Sequence, residues 1–459
     1  MTFCRKVIHF VRNRERKFTL PLRPSYITFI KLDFVKNFIE ELRWRGLIHN
    51  TTEGVEEHLN GGMVKGYIGF DPTAPSLTIG NYVQIMLLTF LQRAGHQPVV
   101  LLGGATGRIG DPSGKDKERD LKSYEELDRN TAHQMEQFRR LLDFSGDAPN
   151  RAIMVNNYDF YANMNVMDFL RDVGKYLTVN YMMAKESVKR RIESETGISY
   201  TEFSYQLIQG YDFVVLNEKH GITLQMGGSD QFGNITSGVE LGRKIKNMKL
   251  YAVTTPLLTK SDGTKFGKSE GGNIWLDPDM TSPYQFYQFW INADDKDVPK
   301  FLRYFSLKSR EEIESLEANE KLQQIKTVFA EEITRRIHGD GAFEEVMWVS
   351  QLIFNKTTDR DAWLSFDEAT LKRVEYQLPK VSVPRSTLAE GISILDLLPL
   401  TGLYLSRTEA KEAVKSNAVA VNKLKVNKMD ATFGESDLLQ GRCLLIEKGK
   451  TQKIMLVAE

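Results

Sequence analysis

The chain reads as an α/β protein whose parallel sheet is followed by a helical segment and a small unit at the C-terminus. Three observations predict this. Residues 63–70 are strand-like, 81–94 form an apolar helical stretch, and 97–102 are a continuous β-branched and leucine run, in the order strand, helix, strand. A crossover helix between two apolar strands makes them parallel and puts the following loops at the strand carboxyl ends, where ligands bind in open α/β sheets. Beyond Ser282 a helical period takes over, clearest at 311–319 and 322–337. The stretch 375–388, with Pro379 and Pro384, then interrupts periodicity before a compact unit that starts at Ile392.

Taken in order, residues 1–32 are a basic extension in which Glu15 is the only acid up to residue 30. Both a targeting segment and a loosely ordered tail fit that composition. Apolar residues at helical spacing begin near Asp33, and residues 51–62 read as turns around a short helix. Helices are expected at 130–142, 166–172 and 198–216, the last leading into a strand at 222–226. The implied divisions are a catalytic-type α/β domain over 33–281, a helical domain over 282–358, a linker over 359–391 and a C-terminal α+β unit over 392–459.

Composition narrows the chemistry. Among 459 residues, 61 Lys and Arg balance 60 Asp and Glu, so contact with nucleic acid would need a local basic patch. Cys4 and Cys443 are too few and too far apart for a disulfide framework or a zinc cluster, which suits a reducing compartment. No apolar run reaches the ~18 residues of a membrane span. Histidines 9, 49, 58, 96, 133, 220 and 338 show no ligand spacing, and no structural metal is expected.

Three loops carry candidate chemistry. The first, 71–81, runs from strand to helix with small, turn-forming residues, and its helix start could receive a phosphate. An ordinary capped helix fits it equally well. The second, 103–115, is rich in glycine but is not a P-loop, since Ile109 stands where glycine is required and Asp116 follows Lys115. The third, 259–272, is polar and glycine-rich with Lys265 and Lys268 three residues apart, suited to neutralising charge on a departing pyrophosphate, though a solvated lysine loop fits it as well. In the C-terminal unit Arg407, Lys411 and Lys415 recur every four residues on a helix starting near Ser406. Glu409 and Glu412 would face elsewhere, and Lys423, Lys425 and Lys428 would extend a patch suited to RNA phosphates, with an ordinary solvated helix face as the alternative.

Thr78-Ile79-Gly80-Asn81 looks like a degraded HIGH signature and Lys265-Phe266-Gly267-Lys268-Ser269 like a KMSKS signature. With YIGFDPTAPSLTIGN, GGATGRIGDPSGK, VNYMMAKESV, TEFSYQLIQGYDF, QMGGSDQFGNI and DGTKFGKSEGGNIWL, the chain closely resembles the bacterial-type tyrosyl-tRNA synthetases, which are class I aminoacyl-tRNA synthetases. The resemblance runs from about Asp33 to Glu459. It implies a Rossmann-type parallel-sheet catalytic domain, a helical anticodon-binding domain, a small S4-like RNA-binding domain and a homodimer. It also implies tyrosine activation by ATP with Mg2+ and transfer to tRNA(Tyr), in a cytoplasmic protein with an organelle as second choice.

Residue by residue, the resemblance implies that Tyr67 and Asp212 read the tyrosine hydroxyl. Tyr205 and Gln209 would hold the amino group, supported by Asp111 and Asn157, and Gln231 would meet the carboxyl region. Tyr205, Gln209 and Asp212 fall at i, i+4 and i+7, one helix face. Gly69, Asp71, Thr73, Gly80, Gly228 and Asp230 would line the ATP site, with Lys115, Arg119, Lys265 and Lys268 around the pyrophosphate. Thr78 and Asn81 replace the two HIGH histidines and cannot carry their positive charge. A catalytically weakened relative kept for RNA binding therefore remains an alternative, as does activation of tryptophan. Tyr67, Asp212, Lys265 and Lys268 favour tyrosine activation, since RNA binding needs none of them.

Overall fold

The computed structural model describes residues 35–113, 121–195, 197–264, 266–269, 272–354, 359–449 and 451–459. The extension 1–32, Lys115, Arg119 and Lys265 lie outside them, and Lys268 is described by its backbone alone.

After helix α1 (Phe38–Arg45), a six-stranded sheet is built from β1 (Asn50–Thr51), β2 (Lys65–Phe70), β3 (Gln97–Leu102), β4 (Ile153–Asn156), β5 (Leu224–Gly228) and β6 (Tyr251–Thr255). Its order is β1-β6-β5-β2-β3-β4, parallel except for the antiparallel edge strand β1. The chain leaves β2 toward β3 and β4, then returns to β5 on its other side. That reversal is the switch point at which such sheets open a ligand crevice. Every residue of β3, β5 and β6 is buried, the polar Gln97, Gln225, Thr254 and Thr255 included, as expected of strands in a sheet covered on both faces.

Helix α2 (Ile79–Arg93) crosses from β2 to β3 and buries ten of its residues, which explains its nearly all-round apolar sequence. Helix α3 (Tyr124–Leu141) begins six residues earlier than expected because Ser123 accepts the Glu126 N–H at 3.1 Å and caps it. Four short helices follow β4: α4 (Tyr158–Tyr161), α5 (Val166–Asp172), α6 (Val179–Met183) and α7 (Glu186–Ile192). The long α8 (Tyr200–His220), capped by Ser199, and α9 (Phe232–Lys246) flank β5. The third loop forms a short antiparallel ribbon, β7 (Lys268–Ser269) with β8 (Gly272–Asn273).

The helical segment contains α10 (Pro283–Ile291), α11 (Val298–Phe305), α12 (Arg310–Asn319), α13 (Leu322–His338) and α14 (Asp340–Phe354), packed around Trp290 with Phe301, Phe305 and Phe329. The expected linker over 359–391 is corrected by the structure. It holds α15 (Arg360–Leu364), α16 (Glu368–Gln377) and β9 (Lys380–Val383). Leu371, Val374 and Leu378 form a buried helical stripe there, and the two prolines merely bracket an edge strand, where a missing N–H is tolerated.

In the C-terminal unit, helices α17 (Ile394–Leu400) and α18 (Arg407–Lys415) precede β10 (Val419–Val421), β11 (Leu424–Lys425), β12 (Cys443–Lys448) and β13 (Gln452–Ala458). These strands and β9 form a sheet of order β11-β10-β12-β13-β9. Alternation along β12 and β13 splits the side chains between two cores. Cys443, Leu445, Met455 and Val457 join the core of the preceding helices, and Leu444, Ile446, Ile454 and Leu456 face α17 and α18.

Candidate active site

The loops after β2, β3, β4 and β5 meet at the carboxyl edge of the sheet. Gly69 is exposed in the central strand β2, although the residues on either side of it are buried. This opens a crevice with the sheet as its floor. Tyr67 shares that face two residues deeper. Its ring is fully buried, edge-on to Phe213 at 5.2 Å, and its hydroxyl has no hydrogen-bond partner. Burial, then the nearby Asp212 charge, pushes the Tyr67 phenol well above its ordinary range.

Asp212 sits in the middle of α8 and is 1% exposed. Asn157 Nδ2 donates to its Oδ2 at 2.9 Å and Tyr161 Oη donates to its Oδ1 at 2.7 Å. Burial raises this carboxyl to about 7, against the pull of these two donors, and the Asp71 charge adds to the rise. Asn157 itself is locked, accepting the Ala105 N–H at 2.7 Å and donating to Thr106 Oγ1 at 3.1 Å. Thr106 donates to Asp71 Oδ1 at 2.7 Å, and Tyr205 Oη donates to Asp71 Oδ2 at 3.0 Å. One continuous network thus joins the ends of β2, β3 and β4 to α8. Gly103 is required beside it, because a Cβ there would stand 2.1 Å from Asp71 Oδ1.

A second network runs along the other wall. Gln231 Nε2 donates to Asp111 Oδ2 at 2.7 Å, and the Ser113 N–H donates to Asp111 Oδ1 at 2.9 Å. Asn234 Nδ2 lies within 3.0 Å of Gln209 Oε1 and 3.2 Å of Ser113 Oγ. Thr73, Gly80 and Asp230 are exposed around the mouth, and Asp230 follows the buried Gly228 at the end of β5.

Thr78 and Asn81 form a reciprocal capping box at the start of α2. The Thr78 N–H and Oγ1–H donate to Asn81 Oδ1 at 2.9 and 2.8 Å, and the Asn81 N–H returns to Thr78 Oγ1 at 3.3 Å. Thr78 and Asn81, which stand where the two HIGH histidines would, therefore engage the threonine proton inside the cap, and Asn81 itself is exposed. Opposite it, Gly267 has φ +87°, and a Cβ there would come within 3.4 Å of the Gly80 backbone nitrogen. Ile79 N–H donates to Ile274 O, and Ile274 N–H to Gly267 O, both at 3.0 Å. The two signature loops thus touch backbone to backbone. Thr78→Ala is expected to lower stability by about 1 kcal/mol in thermal or denaturant unfolding.

The third loop is also tied to the helical segment. Asp297 Oδ2 accepts from Ser261 N at 3.1 Å and Ser261 Oγ at 3.3 Å, Lys300 Nζ donates to Thr259 O at 2.7 Å, and Phe266 stacks on Phe305 at 5.7 Å. The sequence reasoning missed Thr106, Tyr161, Asn234 and Asp297. Only Thr106 carried a legible signal, as the one hydroxyl inside GGATG. The others depend on folding distances between distant segments.

In α18, Ser406 accepts the Glu409 N–H at 3.2 Å, so the helix begins where expected. Arg407, Lys411 and Lys415 are exposed, but Arg407 pairs with Asp396 at 3.2 Å and Lys415 with Glu412 at 3.1 Å. Glu412 thus does not face elsewhere, since i,i+3 places it beside Lys415. The assignment of Lys423 to the exposed patch is also corrected. Its half-buried ammonium is held by Glu447 at 3.2 Å and by the Ile353 carbonyl, while Lys425 and Lys428 stay exposed. Asn417, at φ 56°, supplies the left-handed turn after α18 without glycine.

Residues 60–355 match the family described as tRNA synthetases class I (W and Y), which sets the class as that of the class I aminoacyl-tRNA synthetases. Residues 375–456 match the tyrosine–tRNA ligase SYY-like C-terminal domain. The tyrosine–tRNA ligase of Porphyromonas gingivalis (strain W83) is 49% identical over 430 residues, 92% of this chain and all of that protein. That of Cytophaga hutchinsonii is 49% identical over 431 residues, 92% of this chain and 99% of its own length. A C-terminally truncated mitochondrial tyrosyl-tRNA synthetase of Aspergillus nidulans superposes with a TM-score of 0.62 at 31% identity, covering 69% of this chain and 94% of that one. The chain belongs to the tyrosine–tRNA ligase family.

Proposed function

We propose that the crevice takes L-tyrosine with its phenol between Tyr67 and Asp212. The observation that carries this is the buried, unpartnered Tyr67 hydroxyl beside a carboxylate held by two neutral donors. A buried polar atom without a partner is rare, and a ligand hydroxyl satisfies it. Asp212 accepts the phenol proton and Tyr67 donates to the phenol oxygen. Tyr205 and Gln209 meet the ammonium from the same helix face. Asp111, Asn157 and Gln231 hold the surrounding wall.

ATP lies over Gly69, Asp71, Thr73, Gly80, Gly228 and Asp230. The tyrosine carboxylate oxygen then attacks the α-phosphorus; that O–P bond forms as the bond to pyrophosphate breaks. No protein nucleophile or general base is needed, so positioning and charge stabilisation supply the rate. Lys115, Arg119, Lys265 and Lys268 neutralise the leaving pyrophosphate, and Thr78 and Asn81 fix the helix start beside it. Among the described residues no cluster of three His, Cys, Asp or Glu could hold a metal ion, so Mg2+ would arrive on the ATP phosphates and shield their charge. A terminal ribose hydroxyl of tRNA(Tyr) then attacks the tyrosyl carbonyl and AMP leaves, with Arg407, Lys411, Lys415, Lys425 and Lys428 offering phosphate contacts.

A homodimer is supported by exposed apolar side chains at Val166, Met167, Leu170, Val179 and Met183, more than a lone surface would leave open. No helix of the described residues is long and apolar enough to cross a membrane, and a cytoplasmic setting suits these substrates. Tyr67→Phe tests the pocket. It is expected to raise KM for tyrosine about tenfold, the value of one buried hydrogen bond, with KM for ATP unchanged. Unchanged tyrosine KM would remove Tyr67 from the pocket.

A further inference from the structure

We propose that Tyr161 is a specificity-determining positioning residue, whose hydroxyl holds the Asp212 carboxylate as an acceptor for the tyrosine phenol. The inference rests on the tyrosine pocket given above and deepens it. Tyr161 ends the short helix α4, and its Oη lies 2.7 Å from Asp212 Oδ1 and 2.7 Å from the Ile208 carbonyl. One hydroxyl proton serves one of these acceptors at a time. An ionised carboxylate is the stronger acceptor, so the proton goes to Asp212 while that group is charged. Once Asp212 is protonated, the Tyr161 hydroxyl can turn to Ile208 and accept from the carboxylic acid instead. Asp212 is then a donor and no longer reads the phenol proton.

The surroundings leave this task to few groups. Facing Asp212 are Tyr67 from β2, Asp71 from the loop after β2, Asn157 after β4, Tyr161 from α4 and Tyr205 on α8 itself. Among the described residues no lysine, arginine or histidine pairs with Asp212. Its charged form depends on two neutral donors, and Tyr161 is one of them. Removing a donor to the charged form raises a carboxyl pKa further. The Tyr161 ring also packs on Phe169 at 6.3 Å and Tyr211 at 6.2 Å, contacts that phenylalanine keeps.

The test is Tyr161→Phe in the full chain, assayed by tyrosine-dependent ATP–pyrophosphate exchange from about pH 5.5 to 9, with phenylalanine as competitor. The expected result is a KM for tyrosine raised about tenfold near neutral pH, an acid limb of kcat/KM moved to higher pH, and weaker rejection of phenylalanine. KM for ATP and the unfolding midpoint stay as in the parent. A pH profile that superimposes on the parent's, or a loss equal at every pH, overturns the proposal. A parent that itself lacks an acid limb and accepts phenylalanine overturns both this inference and the pocket beneath it. Tyr161→Leu, which removes ring and hydroxyl together, separates packing from positioning: an acid limb unmoved from the parent's would assign Tyr161 to packing and overturn the proposal.

Discussion

Asp212→Asn is expected to lower kcat/KM for tyrosine by roughly 30- to 1,000-fold, about 2–4 kcal/mol. The fold should survive, because an amide can accept from Asn157 Nδ2 and donate to Tyr161 Oη. The pocket loses its charged acceptor, so the loss falls on tyrosine, selectivity against phenylalanine declines, and KM for ATP stays. Unchanged selectivity would remove Asp212 from phenol recognition. Asp212 also sets a pH dependence. With its carboxyl raised to about 7, activity that needs the ionised form climbs as pH rises through neutrality. Its effect on stability has the opposite sign. The folded state binds a proton that the unfolded chain has released above about pH 4, so this contribution is full at low pH and fades as pH rises through about 7. Asp212→Asn should flatten both trends.

Glu202→Ala is expected to destabilise the protein by about 3–5 kcal/mol. Arg191 on α7 and Glu202 in the first turn of α8 are each 2% exposed and form a bidentate pair, Nε to Oε1 at 2.8 Å and Nη2 to Oε2 at 2.9 Å. Removing the acid takes the carboxylate away from a buried guanidinium, which keeps its hydrogen bond to Ser194 Oγ at 2.9 Å. Replacing both by apolar residues of similar volume, as in Arg191→Met with Glu202→Leu, should recover most of the loss, since the paired charges repay little beyond their own desolvation. Thermal unfolding of the two variants checks this. A single variant as stable as the parent would contradict the stabilising role of the Glu202 carboxylate.

Much of this architecture is legible in the chain itself. The run at 97–102 reads as a buried parallel strand because both its faces are covered, and the spacing of Tyr205, Gln209 and Asp212 places them on one helix face. Segment 359–391 misleads because prolines are read as breakers, whereas here they bracket an edge strand whose partner residues in β13 lie 75 positions away. Lys423 misleads for a related reason. A lysine in a polar hairpin reads as solvated, and only the tertiary approach of Glu447 and the end of α14 half-buries and pairs it. Tyr161 carries no local sign of its role, since its bond to Asp212 spans 51 positions. The capping box of Thr78 and Asn81 follows from residue type and spacing, but its contact with Gly267 does not.

The most direct measurement is ATP–pyrophosphate exchange by the purified chain with magnesium, comparing tyrosine, phenylalanine and tryptophan in the absence of tRNA. Exchange with tyrosine alone is the expected result, and it would show that Thr78 and Asn81 suffice at the helix start. Exchange with tryptophan, or none with any of the three from folded protein that still binds tRNA, would contradict the account.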